Sequence, residues 1–433
     1  MISNFEIYFT EILKKIKNNN YKFILALSGG MDSMALLHLL KNFIKTNKQF
    51  KIEVIPIIID HGLRSVSSKE AIKVKKISET LGFKAQIKKI NECRPNGNIQ
   101  NWARKQRRDI LFQISSDLQA NLMLAHHFDD QAETIFMRML KDTAIDGLSG
   151  MSEITKWNGV LIIRPLMFCK KKQIRKYINN NKITYFEDES NFDLKFERVK
   201  TRLLIELIEK NVWSNISDDI NYFSNLNSNL LKKSICIFNS WGEKNISIYK
   251  GGAVRIKYKV LKDFLNNSHY FSIRIIGKII QTVGGSEYPP KRKKTFELLS
   301  SLINSKHFHK KCLGNVCVAL SRGYLYFIRE NRNLNFNINI KKNTCYIFDG
   351  RFLVFSAIPG KLVKSNNSYL LSNDHKNPFY EYFSQINNTI PYLKTLEGET
   401  IRPHLNIINQ NSIFDDSHKN DYFNLYLIDR ILV

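Results

Sequence analysis

The chain has 433 residues, 43% of them hydrophobic, which is enough for two to four domains of about 100–200 residues each. No stretch reaches the roughly 18–20 consecutive apolar residues of a membrane span, and the first 20 residues lack the apolar segment of a signal peptide, so we expect neither a membrane nor a secreted protein. The net charge of +27 reflects either compositional drift toward lysine or a polyanionic partner such as nucleic acid, and charge alone favours the second only modestly.

Strand and helix patterns alternate along the first 200 residues, after an opening amphipathic helix. Short apolar runs bounded by turn signals predict strands, and apolar residues at helical spacing predict the helices between them. This alternation predicts an α/β fold with a doubly wound parallel sheet, in which ligands bind at the carboxyl ends of the strands. The predicted strands are residues 23–27, 52–59, 85–90, 121–125 and 160–163, and the predicted helices are residues 34–40, 68–81, 98–118, 130–140 and 170–180.

The pattern changes after residue 205. Helices without βα alternation are expected over residues 210–281, then a helix at 295–303, short strands at 313–330 and a polar linker at 331–343. Short β-like runs follow from residue 345. We therefore predict three domains: the α/β domain at 1–208, a mainly helical middle domain at 209–335 and a small α+β domain at 344–433.

The hexapeptide SGGMDS follows the first predicted strand and precedes a helix. Gly29 and Gly30 allow a tight turn, and their N–H groups, with those of the helix N-terminus, form a site for phosphate oxygens. The hydroxyls of Ser28 and Ser33 add hydrogen bonds. Asp32 would repel phosphate, which favours a Mg²⁺-linked or bracing role. An ordinary turn with an aspartate helix cap is the alternative, but the strand–loop–helix context favours phosphate binding.

A second polar cluster follows the fourth predicted strand. His126, His127, Asp129 and Asp130 can hold Mg²⁺ on pyrophosphate oxygens or transfer protons. Helix capping by one aspartate beside a packed histidine is the alternative. Capping explains one carboxylate but not four polar groups near a phosphate loop, so we favour a functional cluster.

Charged residues elsewhere have weaker signals. Arg104 and Arg107 share a helix face and suit contacts to the α-phosphate or substrate, although a solvated basic face is as plausible from the residues alone. Glu187 and Asp188 open an acidic patch that can hold an ammonium group or a metal, or that is simply a solvated loop.

The hexapeptide resembles the PP-loop of the N-type ATP pyrophosphatases, which cleave ATP between its α- and β-phosphates and leave an adenylated substrate. Further segments resemble the tRNA(Ile)-lysidine synthetases, closely over residues 21–205 and more weakly beyond. Three positions depart from that pattern: Asp60 replaces a usual histidine, residues 141–144 replace an RGxG-like turn, and Val199 replaces a common asparagine. The resembling segments are DHGLR (60–64), IQNWARKQR (99–107), AHHFDDQAET (125–134), GLSGM (147–151), RPL (164–166) and EDESN (187–191).

The resemblance implies ATP-dependent ligation of lysine to C2 of the wobble cytidine in the CAU anticodon of isoleucine tRNA, forming lysidine through an adenylated tRNA. It implies ATP and Mg²⁺ as cofactors, tRNA and free L-lysine as partners, tRNA binding by the two later domains, and a possible homodimer. The assigned residues are Asp32, Arg107, His127 and Asp130 for catalysis; Ser28, Gly29, Gly30, Met31, Asp32, Ser33 and His61 for ATP; Asp129 and Asp130 for metal; and Arg104, Glu133, Glu187, Asp188, Arg198 and Arg202 for substrate.

Three alternatives stay open at this point. A sulfur-inserting tRNA enzyme of the same superfamily needs paired or cluster-binding cysteines, whereas the six cysteines here have no C-x-x-C spacing and predict free thiols in the cytoplasm, with Cys312 and Cys317 structural. A glutamine-dependent amidotransferase needs a glutaminase half, which is not visible. A tRNA-binding protein without catalysis is the third, and the intact motifs argue against it.

Overall fold

The computed structural model describes residues 1–16, 21–60, 67–90, 99–141, 145–157, 160–187, 193–267, 269–304, 310–364, 379–409 and 423–429. The chain divides into two compact units, Met1–Lys232 and Lys233–Val433. Each unit is described by itself. Within these ranges, no helix has the length and apolarity needed to cross a membrane.

The first unit alternates strands and helices. Its strands are β1 (Lys22–Ala26), β2 (Glu53–Asp60), β3 (Gln86–Lys89), β4 (Asn121–Met123), β5 (Ile154–Trp157) and β6 (Val160–Ile163). Its helices are α1 (Ile2–Lys15), α2 (Met31–Thr46), α3 (Ser67–Thr80), α4 (Ile99–Asp117), α5 (Phe128–Met139), α6 (Ile145–Leu148), α7 (Lys171–Asn180) and α8 (Glu197–Asn211), and α9 (Ile216–Asn245) begins in this unit.

The six strands form one sheet in the order β3-β2-β1-β4-β6-β5. All neighbours pair in parallel except β5, which runs antiparallel to β6 at the edge. The strand order reverses between β1 and β4, and in such sheets the crevice at the carboxyl ends of these two strands is the usual ligand site. The doubly wound parallel sheet predicted from the sequence is confirmed.

Helices cover both faces of this sheet, and successive residues of β1 point to opposite faces, so they lie in two different cores. Phe23 and Leu25 lie in a core with α1, α2 and α7, whereas Ile24 and Ala26 lie in a second core with Leu111 of α4. The continuous apolar run of β1, which predicted a buried strand, is therefore explained by helices on both faces.

The second unit contains three antiparallel or mixed sheets. A five-stranded sheet has the order β7-β8-β11-β10-β9, and two four-stranded sheets have the orders β12-β15-β16-β17 and β13-β14-β19-β18. The strands are β7 (Ile246–Tyr249), β8 (Ala253–Lys257), β9 (Lys310–Leu313), β10 (Val316–Ser321), β11 (Tyr324–Arg329), β12 (Ile338–Ile340), β13 (Thr344–Phe348), β14 (Phe352–Ser356), β15 (Gly360–Lys364), β16 (Pro391–Thr395), β17 (Thr400–Ile401), β18 (His404–Asn409) and β19 (Phe423–Asp429). The helices are α10 (Tyr258–Asn267), α11 (His269–Gly284), α12 (Arg292–Asn304) and α13 (Phe383–Asn387).

Four strands differ from the sequence predictions. The hairpin β7–β8 lies within residues 210–281, for which only helices were predicted, and β12 lies within the predicted linker. The antiparallel edge strand β5 was also not predicted. Each is short, and among the described residues the four-residue β5 pairs with one strand, β6. Strand formation in such segments depends on the partner strand, which local sequence does not reveal.

Candidate active site

The phosphate loop, residues 28–33, comprises the turn after β1 and the first residues of α2, and its own hydroxyls hold it. The Ser33 hydroxyl donates to the Gly30 carbonyl at 2.9 Å, and the Ser28 and Ser33 oxygens lie 3.1 Å apart. The Gly30 N–H donates to Ser28 Oγ at 3.3 Å. Gly30 is the N-cap of α2 and has no side-chain cap, so the helix presents open N–H groups to the crevice. This geometry suits an anion such as phosphate.

Gly29 occupies a position that only glycine fills without strain. Its φ is +82°, and a Cβ there would lie 2.6 Å from Val74 Cγ2 of α3. The Gly29 carbonyl accepts a hydrogen bond from the Phe186 N–H at 3.0 Å. The segment that carries the exposed side chain of Glu187 therefore lies directly beside the phosphate loop.

His127 caps α5 and is 2% exposed. The ring nitrogen Nδ1 accepts a hydrogen bond from the backbone N–H of Asp130 at 3.3 Å, and the backbone N–H of His127 donates to Asp130 Oδ2 at 3.0 Å. The helix-capping alternative is confirmed for His127 and Asp130, and the functional role of the cluster stays a prediction. Capping fixes the imidazole and the carboxylate relative to each other.

Asp32 of α2 lies across the crevice from this cap. Its Oδ2 is 3.7 Å from His127 Nε2, and its Oδ1 is buried without a hydrogen-bond partner among the described residues. Burial raises the pKa of the Asp32 carboxyl, with His127 acting in the opposite direction and Asp130 adding to the rise. A carboxylate in this position gains from a cation, since none of its described neighbours satisfies Oδ1.

Asp130 and Asp129 have different partners. Burial disfavours the charged form of Asp130, but His127, Arg198 and His126 outweigh it and lower the pKa of this carboxyl. Arg198 Nη2 donates to Asp130 Oδ1 at 2.7 Å. Asp129 Oδ2 accepts from the Lys171 N–H, at the start of α7, at 2.6 Å. Asp130 is thus held ionised inside the site, whereas Asp129 braces α7 against α5.

Glu133 lies one turn further along α5, 3% exposed. Arg198 Nε donates to its Oε2 at 2.7 Å, and Arg202 Nε donates to its Oε1 at 2.6 Å. One buried carboxylate therefore orients two arginines of α8, and Arg198 bridges from it to Asp130. Both oxygens of Glu133 are engaged, so this geometry favours a positioning role; its predicted substrate contact stays a prediction.

His126 and the arginines of α4 form the other side of the crevice. Burial lowers the pKa of His126 to about 4, with Arg164, Arg198 and Arg107 opposing its protonation and Asp130 favouring it. Its Nδ1 is buried without a partner among the described residues. Burial and Arg104 lower the pKa of Arg107. A neutral histidine among several guanidinium groups makes this side electropositive, which suits a reaction that moves negative charge.

Most of the predicted site residues come together. The phosphate loop, His127, Asp130 and Arg198 are joined by the contacts above, and the charges of Arg104 and Arg107 act on Arg198 and His126. His61 and Asp188 lie outside the described residues. Sequence reasoning missed the Lys171 and Phe186 backbone contacts, for which no side-chain signal exists, and it gave no role to Gln131, although DDQAET was among the distinctive segments.

The donors fit a Mg²⁺ that is shared with phosphate. No three His, Cys, Asp or Glu side chains among the described residues form a complete metal site. Mg²⁺ commonly uses only one or two carboxylates together with phosphate oxygens and water. The unpartnered Asp32 Oδ1 is the best-placed oxygen, because Asp130 and Asp129 both have hydrogen bonds already. Metal binding by Asp129 and Asp130 stays a prediction.

Known proteins are similar to this chain over much of its length. The match to a solved structure of a U34-tRNA thiolase from Methanococcus maripaludis covers 52% of this chain and 79% of that chain, at 19% identity and a TM-score of 0.43. The tRNA(Ile)-lysidine synthase of Wolbachia pipientis is 28% identical and covers 80% of each chain, and that of Orientia tsutsugamushi is 27% identical and covers 91% of each. Residues 1–208 match the PP-loop domain. Residues 1–208, which carry the phosphate loop and the acidic cap, are thus similar to the PP-loop domain, and the chain as a whole is similar to tRNA(Ile)-lysidine synthases.

Proposed function

We propose that this protein ligates free lysine to C2 of the wobble cytidine in the CAU anticodon of isoleucine tRNA, at the expense of ATP. The observation that carries the proposal is the meeting of Asp32, His127 and Asp130 beside the phosphate loop, at the β1–β4 crevice. The similar proteins named as tRNA(Ile)-lysidine synthases support the choice of substrate.

The reaction is written in two balanced steps. The C2 carbonyl oxygen of cytidine attacks the α-phosphate of ATP, a P–O bond forms, and the bond to the β-phosphate breaks to release pyrophosphate. The ε-amine of lysine then attacks C2, the C2–O bond breaks to release AMP, and the nitrogen loses its proton. Adenylation turns a poor oxygen leaving group into a good one, so positioning and charge neutralisation are what the protein supplies.

The chain's own groups fit these two requirements. The open N–H groups of the first turn of α2 bind phosphate oxygens, and the hydroxyls of Ser28 and Ser33 hold the loop in the conformation that presents them. Arg198, held by Asp130 and Glu133, and Arg107 stabilise negative charge that develops as pyrophosphate leaves. Asp32 would hold Mg²⁺, which supplies further charge neutralisation on the phosphates.

The middle and C-terminal regions are proposed to bind the rest of the tRNA, because a base that is modified must be reached outside a stack and held there. The three-domain division, the homodimer and lysine as amine donor remain parts of the proposal. We place the reaction in the cytoplasm, where tRNA, ATP and lysine occur together. A sulfur-inserting reaction is disfavoured because none of the site side chains named above is a cysteine.

The deciding experiment measures AMP release and incorporation of labelled lysine by the purified full chain with Mg-ATP and a CAU-anticodon isoleucine tRNA. Wild type should release one AMP for each lysine incorporated. Asp32→Asn and Asp130→Asn should each lower kcat by about 100-fold, because each removes a charge that acts on the phosphates. The matched control is Asp117→Asn, which should leave kcat unchanged. Asp117 is an exposed residue of α4 whose carboxylate accepts a hydrogen bond from Gln113.

Each alternative has its own result. AMP release that is independent of lysine, with no label in the tRNA, would keep adenylation but require another nucleophile. Binding of tRNA without AMP release under any condition would leave a non-catalytic tRNA-binding protein.

A further inference from the structure

The side chain of Gln131 clamps a neighbouring segment, residues 147–151, which we call the anchored segment. Gln131 Nε2 donates to the Met151 carbonyl at 2.9 Å, and the Met151 N–H donates to Gln131 Oε1 at 2.7 Å. The side chain is buried. This pairing has the two-bond geometry of a strand ladder, made by one side-chain amide, so it fixes both the position and the orientation of Met151.

Gly150 is shaped to this clamp. Its φ is +70°, and a Cβ at this position would overlap the Gln131 amide. The Gly150 N–H closes a turn onto the Gly147 carbonyl at 3.3 Å. Position 150 therefore has room for glycine only, because the Gln131 amide occupies the space that a Cβ would need.

Arg138 fixes the other end of the anchored segment. Its Nη1 donates to the Gly147 carbonyl at 2.6 Å and to the Gly150 carbonyl at 3.4 Å. Gln131 and Arg138 are seven residues apart on α5 and so share a face. A different face of the same helix, with Asp130 and Glu133, holds the arginines of α8. One helix thus fixes both the charged groups of the site and the anchored segment.

The order of the strands fixes the edge of the sheet at which the anchored segment lies. The phosphate loop follows β1, His126 and His127 follow β4, and Ile154, just after the anchored segment, pairs with Ile163 at the carboxyl end of β6. The segment therefore lies at the same edge of the sheet as the phosphate loop, but beyond β4. The Ser152 carbonyl accepts from Arg164 Nη1 at 2.7 Å, and the charge of Arg164 acts on His126.

In an in-line displacement the attacking atom approaches the phosphorus from the side opposite the leaving group. If pyrophosphate lies on the β1 loop, the base must approach the α-phosphorus from the opposite, β4–β6 side, and the amine then attacks C2 of the base that is held there. We propose that Gln131 and Arg138 are positioning residues that hold residues 147–151 as the fixed acceptor-side wall of the site, against which the base and the amine are aligned. This inference rests on the proposed function and adds to it the residues that align the base and the amine.

The test compares Michaelis constants for ATP, tRNA and lysine in wild type, Gln131→Ala and Arg138→Ala. Either substitution should raise the Michaelis constant for tRNA, for lysine or for both by about tenfold, the loss expected when a hydrogen-bonded anchor is removed. The Michaelis constant for ATP should stay within about twofold. Gln113→Ala, at an exposed glutamine of α4, is the matched control and should change none of them.

A coupling measurement separates this role from general loss of structure. Gly150→Ala should reproduce the Gln131→Ala phenotype because the new Cβ displaces the amide, and the double variant should be no worse than Gly150→Ala alone. Additive losses, an equal rise in the Michaelis constant for ATP, or a fall in kcat with all three constants unchanged would overturn the inference. Lack of activity in wild type would instead contradict the proposed function, and thermal melting of each variant identifies any that fails to fold.

Discussion

At the scale of single residues, the site depends on buried charges that are paired or neutralised. Glu133 is stabilised by two arginines and Asp130 by one arginine and a histidine, so removing one partner would leave an uncompensated buried charge. His126 takes the other course and stays neutral, because burial and the nearby guanidinium groups disfavour its protonated form. The two adjacent histidines also differ in hydrogen bonding: His127 caps α5, whereas Nδ1 of His126 has no partner among the described residues.

The pKa of His126 predicts a pH dependence of stability. Its pKa is lowered from 6.5 to about 4 on folding, so as pH falls below 6.5 the unfolded chain takes up the proton first. The contribution of His126 to stability is therefore fully present above pH 6.5 and is lost progressively down to about pH 4. Between pH 7 and 5 this amounts to about 2 kcal/mol.

Urea unfolding of wild type and His126→Asn at pH 7 and pH 5 measures this loss. The first unit of the variant should lose less stability over that interval than wild type. Equal losses in the two proteins would show that His126 does not titrate as described.

At the scale of elements, the conformation of the phosphate loop depends on the two glycines that lie between the end of β1 and the start of α2. Gly29 must have a positive φ and must also leave room for Val74 of α3, whereas Gly82, after α3, has a positive φ with open space around it. Comparing the two glycines therefore distinguishes the cost of backbone strain, which an alanine would have at both positions, from the cost of a steric clash, which it would have only at Gly29.

Gly29→Ala and Gly82→Ala form a matched pair that tests this distinction. Gly82→Ala should lower the free energy of unfolding by about 1 kcal/mol, from strain alone. Gly29→Ala should cost roughly 1–3 kcal/mol more because its Cβ meets Val74, and it should also raise the Michaelis constant for ATP. Equal destabilisation, with ATP binding unchanged in both, would contradict the close approach of α3 to the loop.

At the scale of the whole molecule, the charge of +27 still has two explanations, drift and a polyanionic partner. If the partner is tRNA, its binding affinity should fall as salt rises, because contacts between lysine or arginine and phosphate release counterions. Charge that arose by drift would not lie at the interface and would give little salt dependence.

Affinity for tRNA measured between 0.05 and 0.2 M salt distinguishes the two. A polyanion-binding surface predicts a fall on the order of 10–100-fold, equivalent to about two to four phosphate contacts. The Michaelis constant for ATP, measured over the same range, serves as the comparison. A tRNA affinity that hardly changes would favour compositional drift.

Local sequence patterns were enough to predict the α/β class, the strand–loop–helix setting of SGGMDS and the second cluster after β4. Buried strands, glycine turns and helix starts each have a characteristic local composition. The sequence alone could not determine that β1 and β4 are neighbours, which brings Asp32 to His127, because strand order depends on contacts between distant segments. Nor could it show that Glu133 is enclosed by Arg198 and Arg202, 65 and 69 residues away, or that Gln131 clamps Met151. The edge strand β5 and the hairpin β7–β8 were missed for the same reason: a short segment becomes a strand only when the tertiary structure supplies its partner.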